Sequence, residues 1–383
     1  MLRCTQRDGF SNFLTRASAE EFDINHRTPS IQFGQEMAMF RSALCMALLP
    51  MTLLAAKRPK SVSAVATQEF RISTAQGSAL VPFMMSPDWD EPQPQITRAV
   101  IIIHGKGRDV EGYYHTAVEA ANQAGSAGDE TVFIAPQFLD QQDIGPRRVP
   151  ADVLRWRGTD WESGAPAVAP APISSYEVVD ALLAHLADRS IFPHLQTVVL
   201  AGHSGGGQLV HRYAIVGRAV GALSKGGVHL RFVVANPSSY VYFSDERPTE
   251  GGTLALFQGN ACPHFNHWKY GPLEAPAYIL LDADHTWPHM EADYAQRDVI
   301  YLLGDADTDP REKDLDVSCS GEAQGATRFA RGQAYYAYLH ARHSSGWDQH
   351  LWIVPGVAHS AHEMFTSTCG VTALFDVGSC PGQ

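Results

Sequence analysis

The chain has 383 residues, of which 45% are hydrophobic and 18% are charged. This length and composition suffice for one large α/β domain or two smaller ones with a sizeable core, and they exclude a largely disordered chain. Acidic side chains outnumber basic ones by 41 to 29, which argues against a surface for nucleic acid or for an anionic membrane.

The N-terminal part, residues 1–66, differs from the remainder and predicts export. Its apolar run, residues 43–56, is too short to span a bilayer comfortably. Small residues follow at positions 62–66, in patterns typical of signal-peptidase sites. We expect a signal peptide whose translation starts at Met37 or Met39, preceded by an erroneous extension, and hence a secreted or periplasmic protein. A membrane anchor or a buried helix is the alternative.

Residues 67–383 predict one α/β domain in which apolar strands alternate with helices. Runs rich in β-branched residues predict strands at 70–73, 79–85, 99–103, 131–135, 230–235, 299–303 and 351–354, with a further strand beginning at Val198. Helical periodicity predicts helices at 110–124, 174–188 and 326–341, the second with Ser175 as its N-cap.

Two interpretations fit the irregular stretch that ends near Pro172. Its tryptophans, Trp156 and Trp161, either line a substrate cleft or cover a core. A polar segment after the strand at 230–235 ends at Tyr240 and is expected at the same edge of the sheet. The cleft interpretation makes Trp156, Trp161 and Tyr240 candidate substrate-binding residues.

The stretch 198–210, V-V-L-A-G-H-S-G-G-G-Q-L-V, predicts a strand, a tight turn and a helix. Gly202 and Gly206 flank Ser204 in a G-x-S-x-G pattern, which relieves crowding where a nucleophilic hydroxyl stands on a sharp turn. The amide of Gly205 begins the helix and can donate to a developing oxyanion. The alternative is a glycine-rich turn that binds phosphate at a helix N-terminus.

Periodicity is lost over residues 241–296, which predicts an insertion or lid. Within it, the pairs His264 with His267 and His285 with His289 have spacings seen in metal sites. No cysteine or carboxylate clearly completes a ligand set, so we expect loop histidines and no metal.

Two carboxylates, Asp305 and Asp307, follow the strand at 299–303, roughly a hundred residues after the serine, which is where a triad acid belongs in this chain order. We choose Asp307 and keep Asp305 as the alternative. With Asp309 and Asp316 they also match four ligand positions of a calcium-binding EF-hand loop, but a proline stands where that loop needs glycine.

The last predicted strand is followed by His359. A histidine one loop beyond the final strand can reach the serine hydroxyl and be oriented by the aspartate, as a general base must be.

Ser204, Asp307 and His359, each just after a predicted strand, together with His104-Gly105, resemble the α/β-hydrolase superfamily. The segments H-G-K-G-R-D-V-E-G-Y-Y, G-H-S-G-G-G-Q and V-P-G-V-A-H-S are also similar to those of secreted serine esterases and depolymerase-like relatives. The resemblance implies an α/β-hydrolase fold over residues 67–383, with an eight-stranded, mostly parallel sheet flanked by helices and a lid-like insertion.

The resemblance also implies roles near the serine. The loop after His104 contributes the second oxyanion donor, for which we choose the amide of Lys106 beside that of Gly205. His104 itself is expected to be structural.

These residues predict a serine hydrolase that cleaves carboxylic esters through an acyl-enzyme intermediate and needs no cofactor. Its partner is a small or polymeric ester, with no nucleic acid and no stable membrane association after processing; the oligomeric state is left open. The alternatives are a peptidase or amidase with the same triad and a non-catalytic binding protein on the same fold.

Cys262, Cys319, Cys369 and Cys380 lie outside the N-terminal region and suffice for two disulfides. Three pairings are open, among which Cys369 with Cys380 would close a short loop.

Overall fold

The computed structural model describes residues 61–86, 90–147, 149–281, 285–343 and 345–382, so the predicted signal peptide up to residue 60 lies outside the described part. The strands are β1 (Gln68–Thr74), β2 (Gly77–Ser86), β3 (Arg98–Ile103), β4 (Thr131–Pro136), β5 (Leu139–Asp140), β6 (Arg155–Trp156), β7 (Thr197–His203), β8 (His229–Ala235), β9 (Glu246–Pro248), β10 (Leu254–Leu256), β11 (Asp298–Gly304) and β12 (Gln349–Val354).

The helices are α1 (Val110–Ala124), α2 (Ser126–Asp129), α3 (Gln141–Arg147), α4 (Ser175–Leu186), α5 (Gly205–Val216), α6 (Val220–Lys225), α7 (Trp287–Ala295), α8 (Cys319–Glu322), α9 (Arg328–Arg342), α10 (Ala361–Thr366) and α11 (Thr368–Phe375). Short 3₁₀ turns span Asp160–Ser163 and Gly259–Ala261.

A central sheet of eight strands organises the domain, in the order β1-β2-β4-β3-β7-β8-β11-β12. From β4 to β12 all neighbours are parallel, whereas β2 runs antiparallel to both β1 and β4. The inner strands β3, β7 and β11 are apolar and buried almost throughout because helices cover both faces. The predicted eight-stranded, mostly parallel sheet is therefore confirmed.

Alternate residues of each strand point into two hydrophobic clusters, one on either face of the sheet. On β3, Ile101 belongs to the cluster that contains Leu182 of α4 and Leu209 of α5. The next residue, Ile102, belongs to the opposite cluster with Ala117 of α1. Helix packing on both faces thus holds the strands and their ends in fixed positions.

The helix boundaries agree with the predicted ones to within two residues at each end. The predicted helix at 110–124 coincides with α1, which Asp109 caps by accepting from the amide of Gly112. The N-cap of α4 is Ser174 and not the predicted Ser175, because Ser174 forms a capping box with Glu177.

The segment 241–296 contains a small hairpin, β9 with β10, and helix α7. Buried Arg247 ties the hairpin to the following loop by donating to Phe265 O (2.9 Å) and Asn266 Oδ1 (3.1 Å). Residues 282–284 lie outside the described part. That this segment acts as a lid stays a prediction.

Two disulfides select one of the three pairings that the sequence left open. Cys262 is bonded to Cys319 across 57 residues of sequence, and Cys369 is bonded to Cys380 across 11. The first bond ties the segment 241–296 to the start of α8.

Contacts of the domain begin before the predicted boundary at residue 67. The amide of Val62 donates to Asp143 Oδ1 (2.9 Å), and the buried side chain of Val62 packs with Leu139 and Val153. Where the mature chain begins stays a prediction.

None of the helices in the described residues is both long and apolar enough to cross a membrane.

Candidate active site

Ser204 lies in the tight turn between β7 and α5 and has a positive φ of 59° with ψ −118°. Its amide donates to Ala235 O at 3.0 Å, which fixes the turn against the end of β8. Glycine is required beside it, because a Cβ at Gly206 would lie 2.2 Å from Ile103 O. Local crowding therefore explains the glycines around a strained serine.

His359 joins Ser204 to Asp307 in one hydrogen-bonded chain. Its Nε2 lies 2.9 Å from Ser204 Oγ, and its Nδ1 lies 2.7 Å from Asp307 Oδ2. Asp305 instead accepts the amide of Gly356 (2.7 Å), at the start of the loop that carries the histidine. The structure thus brings Asp307, and not Asp305, to the imidazole.

Arg328, at the first position of α9, meets the other oxygen of Asp307 at 3.5 Å. Its guanidinium is wholly buried and also binds Glu312 Oε2 (2.7 Å) and Ser238 Oγ (3.0 Å). A buried carboxylate and a buried guanidinium each need a partner of this kind. No sequence motif marked Arg328, since nothing in its helix indicates which residue of the loop it faces.

A buried histidine, His203, lies beside this hydrogen-bonded chain without joining it. The ring of His203 lies 4.4 Å from that of His359, and its Nδ1 is 3.1 Å from Tyr113 Oη. Burial lowers the pKa of His203 well below its usual 6.5, so this ring is neutral.

His104 is structural, because its Nε2 accepts the amide of Phe138 and its Nδ1 lies 2.9 Å from Gly105 O. Burial lowers its pKa to about 4.

Lys106 and Gly205 line the same cavity as Ser204. A Cβ built on Gly205 would lie 3.2 Å from Lys106 N, and neither amide donates to another described residue. Arg108 fixes the loop by donating to Lys106 O (3.0 Å) and binding Asp143 through two hydrogen bonds (2.8 and 3.2 Å). Two free, preorganised donors beside a serine suit an oxyanion.

Two cavities meet at Ser204. One, of about 300 Å³, contains His359, His203 and Tyr113. The other, of about 270 Å³, does not contain His359; it is lined mainly by polar side chains, among them Glu162, Gln208, Lys269, Asp316 and Ser318.

Glu162 forms a buried polar floor in the second cavity. It accepts from Gln208 Nε2 at 3.0 Å, and its carboxyl packs so closely on Gly205 that a Cβ there would lie 2.4 Å from Oε1. Burial raises the pKa of Glu162, against the opposing effect of Lys269 and Arg212. No sequence motif marked this residue, apart from its position next to a tryptophan.

The structure contradicts the prediction that Trp156, Trp161 and Tyr240 bind substrate. Trp156, Trp161 and Tyr240 are each 0% exposed, so no substrate can contact them. Trp161 stacks on Phe138 at 5.3 Å and Tyr240 stacks on Tyr335 at 4.7 Å, because large aromatic surfaces are most stable inside the core. Their polar chain neighbours, such as Glu162 and Ser238, line the cavity instead.

The aspartates of the calcium-loop pattern have other partners. Asp307 binds His359, and Asp316 Oδ2 accepts from Tyr270 Oη at 2.7 Å. Within the described residues these carboxylates do not form a cluster of metal ligands.

Comparisons with known proteins support the fold assignment. No protein-family model and no curated protein matches the chain. The chain is similar in structure to poly(aspartic acid) hydrolase-1 from Sphingomonas sp. KT-1, with a TM-score of 0.52 and 22% identity, covering 78% of this chain and 96% of that one. It is also similar to LpqC, poly(3-hydroxybutyrate) depolymerase from Bordetella parapertussis, with a TM-score of 0.56 and 20% identity, covering 83% and 92%. The predicted α/β-hydrolase fold is confirmed.

Proposed function

We propose that this protein is a serine hydrolase that cleaves carboxylic esters through an acyl-enzyme intermediate. The observation that carries the proposal is the chain of two short hydrogen bonds through His359, 2.9 Å to Ser204 and 2.7 Å to Asp307. A serine within reach of an oriented imidazole is the requirement for nucleophilic catalysis at a carbonyl.

In the proposed reaction Ser204 Oγ attacks the ester carbonyl while His359 Nε2 takes its proton. Asp307 holds the Nδ1–H tautomer and stabilises the imidazolium that forms. The amides of Lys106 and Gly205 donate to the oxyanion. The imidazolium then protonates the departing alcohol, and a water activated by the same imidazole releases the acid.

The surroundings of His359 favour this cycle. Because burial keeps His203 neutral, no second positive charge stands against the imidazolium at the point of closest ring contact. Arg328 occupies the Asp307 oxygen that His359 leaves free, which holds the carboxylate in one orientation.

Either a small or a polymeric ester fits the proposal. The two similar structures are a poly(aspartic acid) hydrolase and a poly(3-hydroxybutyrate) depolymerase, both named for polymeric substrates. Secretion through a signal peptide would bring such an enzyme to an external polymer, and it remains part of the proposal together with the absence of a cofactor.

The test is hydrolysis of p-nitrophenyl acetate and butyrate by the full chain, in parallel with p-nitroanilides of the same acids. We expect ester hydrolysis that disappears in Ser204→Ala and persists in Ser224→Ala, an exposed serine on α6. An organophosphonate should label the peptide that carries Ser204. Faster anilide than ester hydrolysis would favour the amidase alternative, and binding without turnover of either would favour the binding protein.

A further inference from the structure

We propose that the cleft continues past Val317 into an apolar groove that binds the acyl chain of the substrate, so that esters of longer aliphatic acids are preferred. The inference rests on the proposed function, because the acyl side of the cleft is defined by the attack of Ser204.

The two cavities at Ser204 can be assigned to the two halves of an ester. The departing alcohol must receive its proton from His359, so it lies in the cavity that His359 lines. The acyl group then extends the other way, into the cavity that contains Glu162 and Lys269 but not His359.

Val317 connects this acyl cavity to a larger groove. It lines both, and it is 61% exposed although its side chain is apolar. The groove has a volume of about 590 Å³ and lies between the turn that follows Pro248 and the first half of α9. A chain that leaves the acyl cavity over Val317 therefore enters it directly.

The groove has an apolar lining suited to a chain of methylene groups. Ala330 and Ala334 lie one turn apart on α9 and present small side chains to it, with Pro248 and Pro310 on other sides. Small side chains keep the groove open. Its apolar lining differs from the mainly polar lining of the acyl cavity.

The test compares kcat/KM for p-nitrophenyl octanoate and p-nitrophenyl acetate in the full chain. Each methylene buried in the groove is expected to raise kcat/KM about fourfold. Ala330→Phe fills the groove and should lower the octanoate-to-acetate ratio at least tenfold. Ala337→Phe, the same change at an exposed position of α9 away from the groove, should leave the ratio unchanged. An unchanged ratio in Ala330→Phe would overturn the groove.

A second variant guards against misfolding of the first. Val317→Glu alters an exposed side chain and places a charge at the entrance, so it should lower the same ratio.

Failure of the two proposals gives different results. If no ester is hydrolysed in a Ser204-dependent way, the proposed function is wrong. If acetate is hydrolysed through Ser204 but neither groove variant changes the octanoate-to-acetate ratio of kcat/KM, only the further inference is wrong.

Discussion

The two walls of the cleft come from different parts of the fold and are held in different ways. The proposed catalytic wall is formed by Ser204, Asp307, His359 and the Lys106 amide. It consists of loops directly after β7, β11, β12 and β3. Parallel strands bring all four loops to one edge of the sheet, so their spacing follows from strand pairing.

The proposed acyl wall is formed by Glu162, Lys269 and residues 314–318. These residues lie in segments between the strands. Side-chain hydrogen bonds hold this wall, such as that of Tyr270 with Asp316, and the Cys262–Cys319 bond lies next to it. The difference predicts that the two walls serve different functions. Changes in the catalytic wall should affect every substrate, and changes in the acyl wall should affect only some substrates, or stability.

The largest expected effect is loss of the nucleophile. Ser204→Ala should lower kcat by on the order of a million-fold on short and long esters alike, because no other group can form the acyl-enzyme. Steady-state rates with acetate and octanoate esters measure this, and the melting temperature checks the fold. Residual hydrolysis near the wild-type rate would contradict the assignment.

The next largest effect separates the two aspartates after β11. Asp307→Asn should lower kcat by about 10⁴-fold, since the amide no longer fixes the imidazole tautomer. Asp305→Asn is the matched control: its amide oxygen can still accept from Gly356 N, so only the negative charge of this acceptor is lost, and we expect a change below about tenfold. Measured kcat values decide, and a larger loss from Asp305→Asn would reverse the assignment.

The two disulfides test the acyl wall. Replacing both Cys262 and Cys319 by alanine should reduce the free energy of unfolding by about 2–4 kcal/mol and raise KM for octanoate more than for acetate. The same double replacement at Cys369 and Cys380 should destabilise the domain without changing the KM ratio, because this pair lies in and after α11. Equal KM effects of the two pairs would contradict the proposed difference between the walls.

The smallest effect concerns the protonation of Glu162. Because burial raises its pKa above the usual 4.5, the folded state binds this proton more tightly than the unfolded state does. The resulting stability is fully present below the unfolded pKa and is lost as the pH rises through the folded pKa. Glu162→Gln should therefore gain stability relative to wild type as the pH rises, measured by urea unfolding at about pH 4 and about pH 8. A pH-independent difference would contradict this sign.

Much of the catalytic wall could be predicted from sequence because local rules govern it. Buried parallel strands appear as β-branched runs, and the crowding around Ser204 requires glycines that are visible in the chain. The acyl wall follows no such rule. Glu162 and Lys269 line the same cavity although they are 107 positions apart in the sequence, and no periodicity links them.

The aromatic residues illustrate the limit of composition. In the sequence, a position in a cleft and a position in a core are equally compatible with Trp156, Trp161 and Tyr240. Only their packing against Phe138 and Tyr335 shows that they belong to the core.

The sequence by itself thus determined the strands of the central sheet, the turn that carries Ser204 and the order of serine, aspartate and histidine, because short-range sterics and hydrophobic periodicity encode them. Tertiary structure alone decided the cysteine pairing, the contact of Arg328 with Asp307 and the groove beyond Val317. Each of these depends on which distant segments share the limited space above one edge of the sheet.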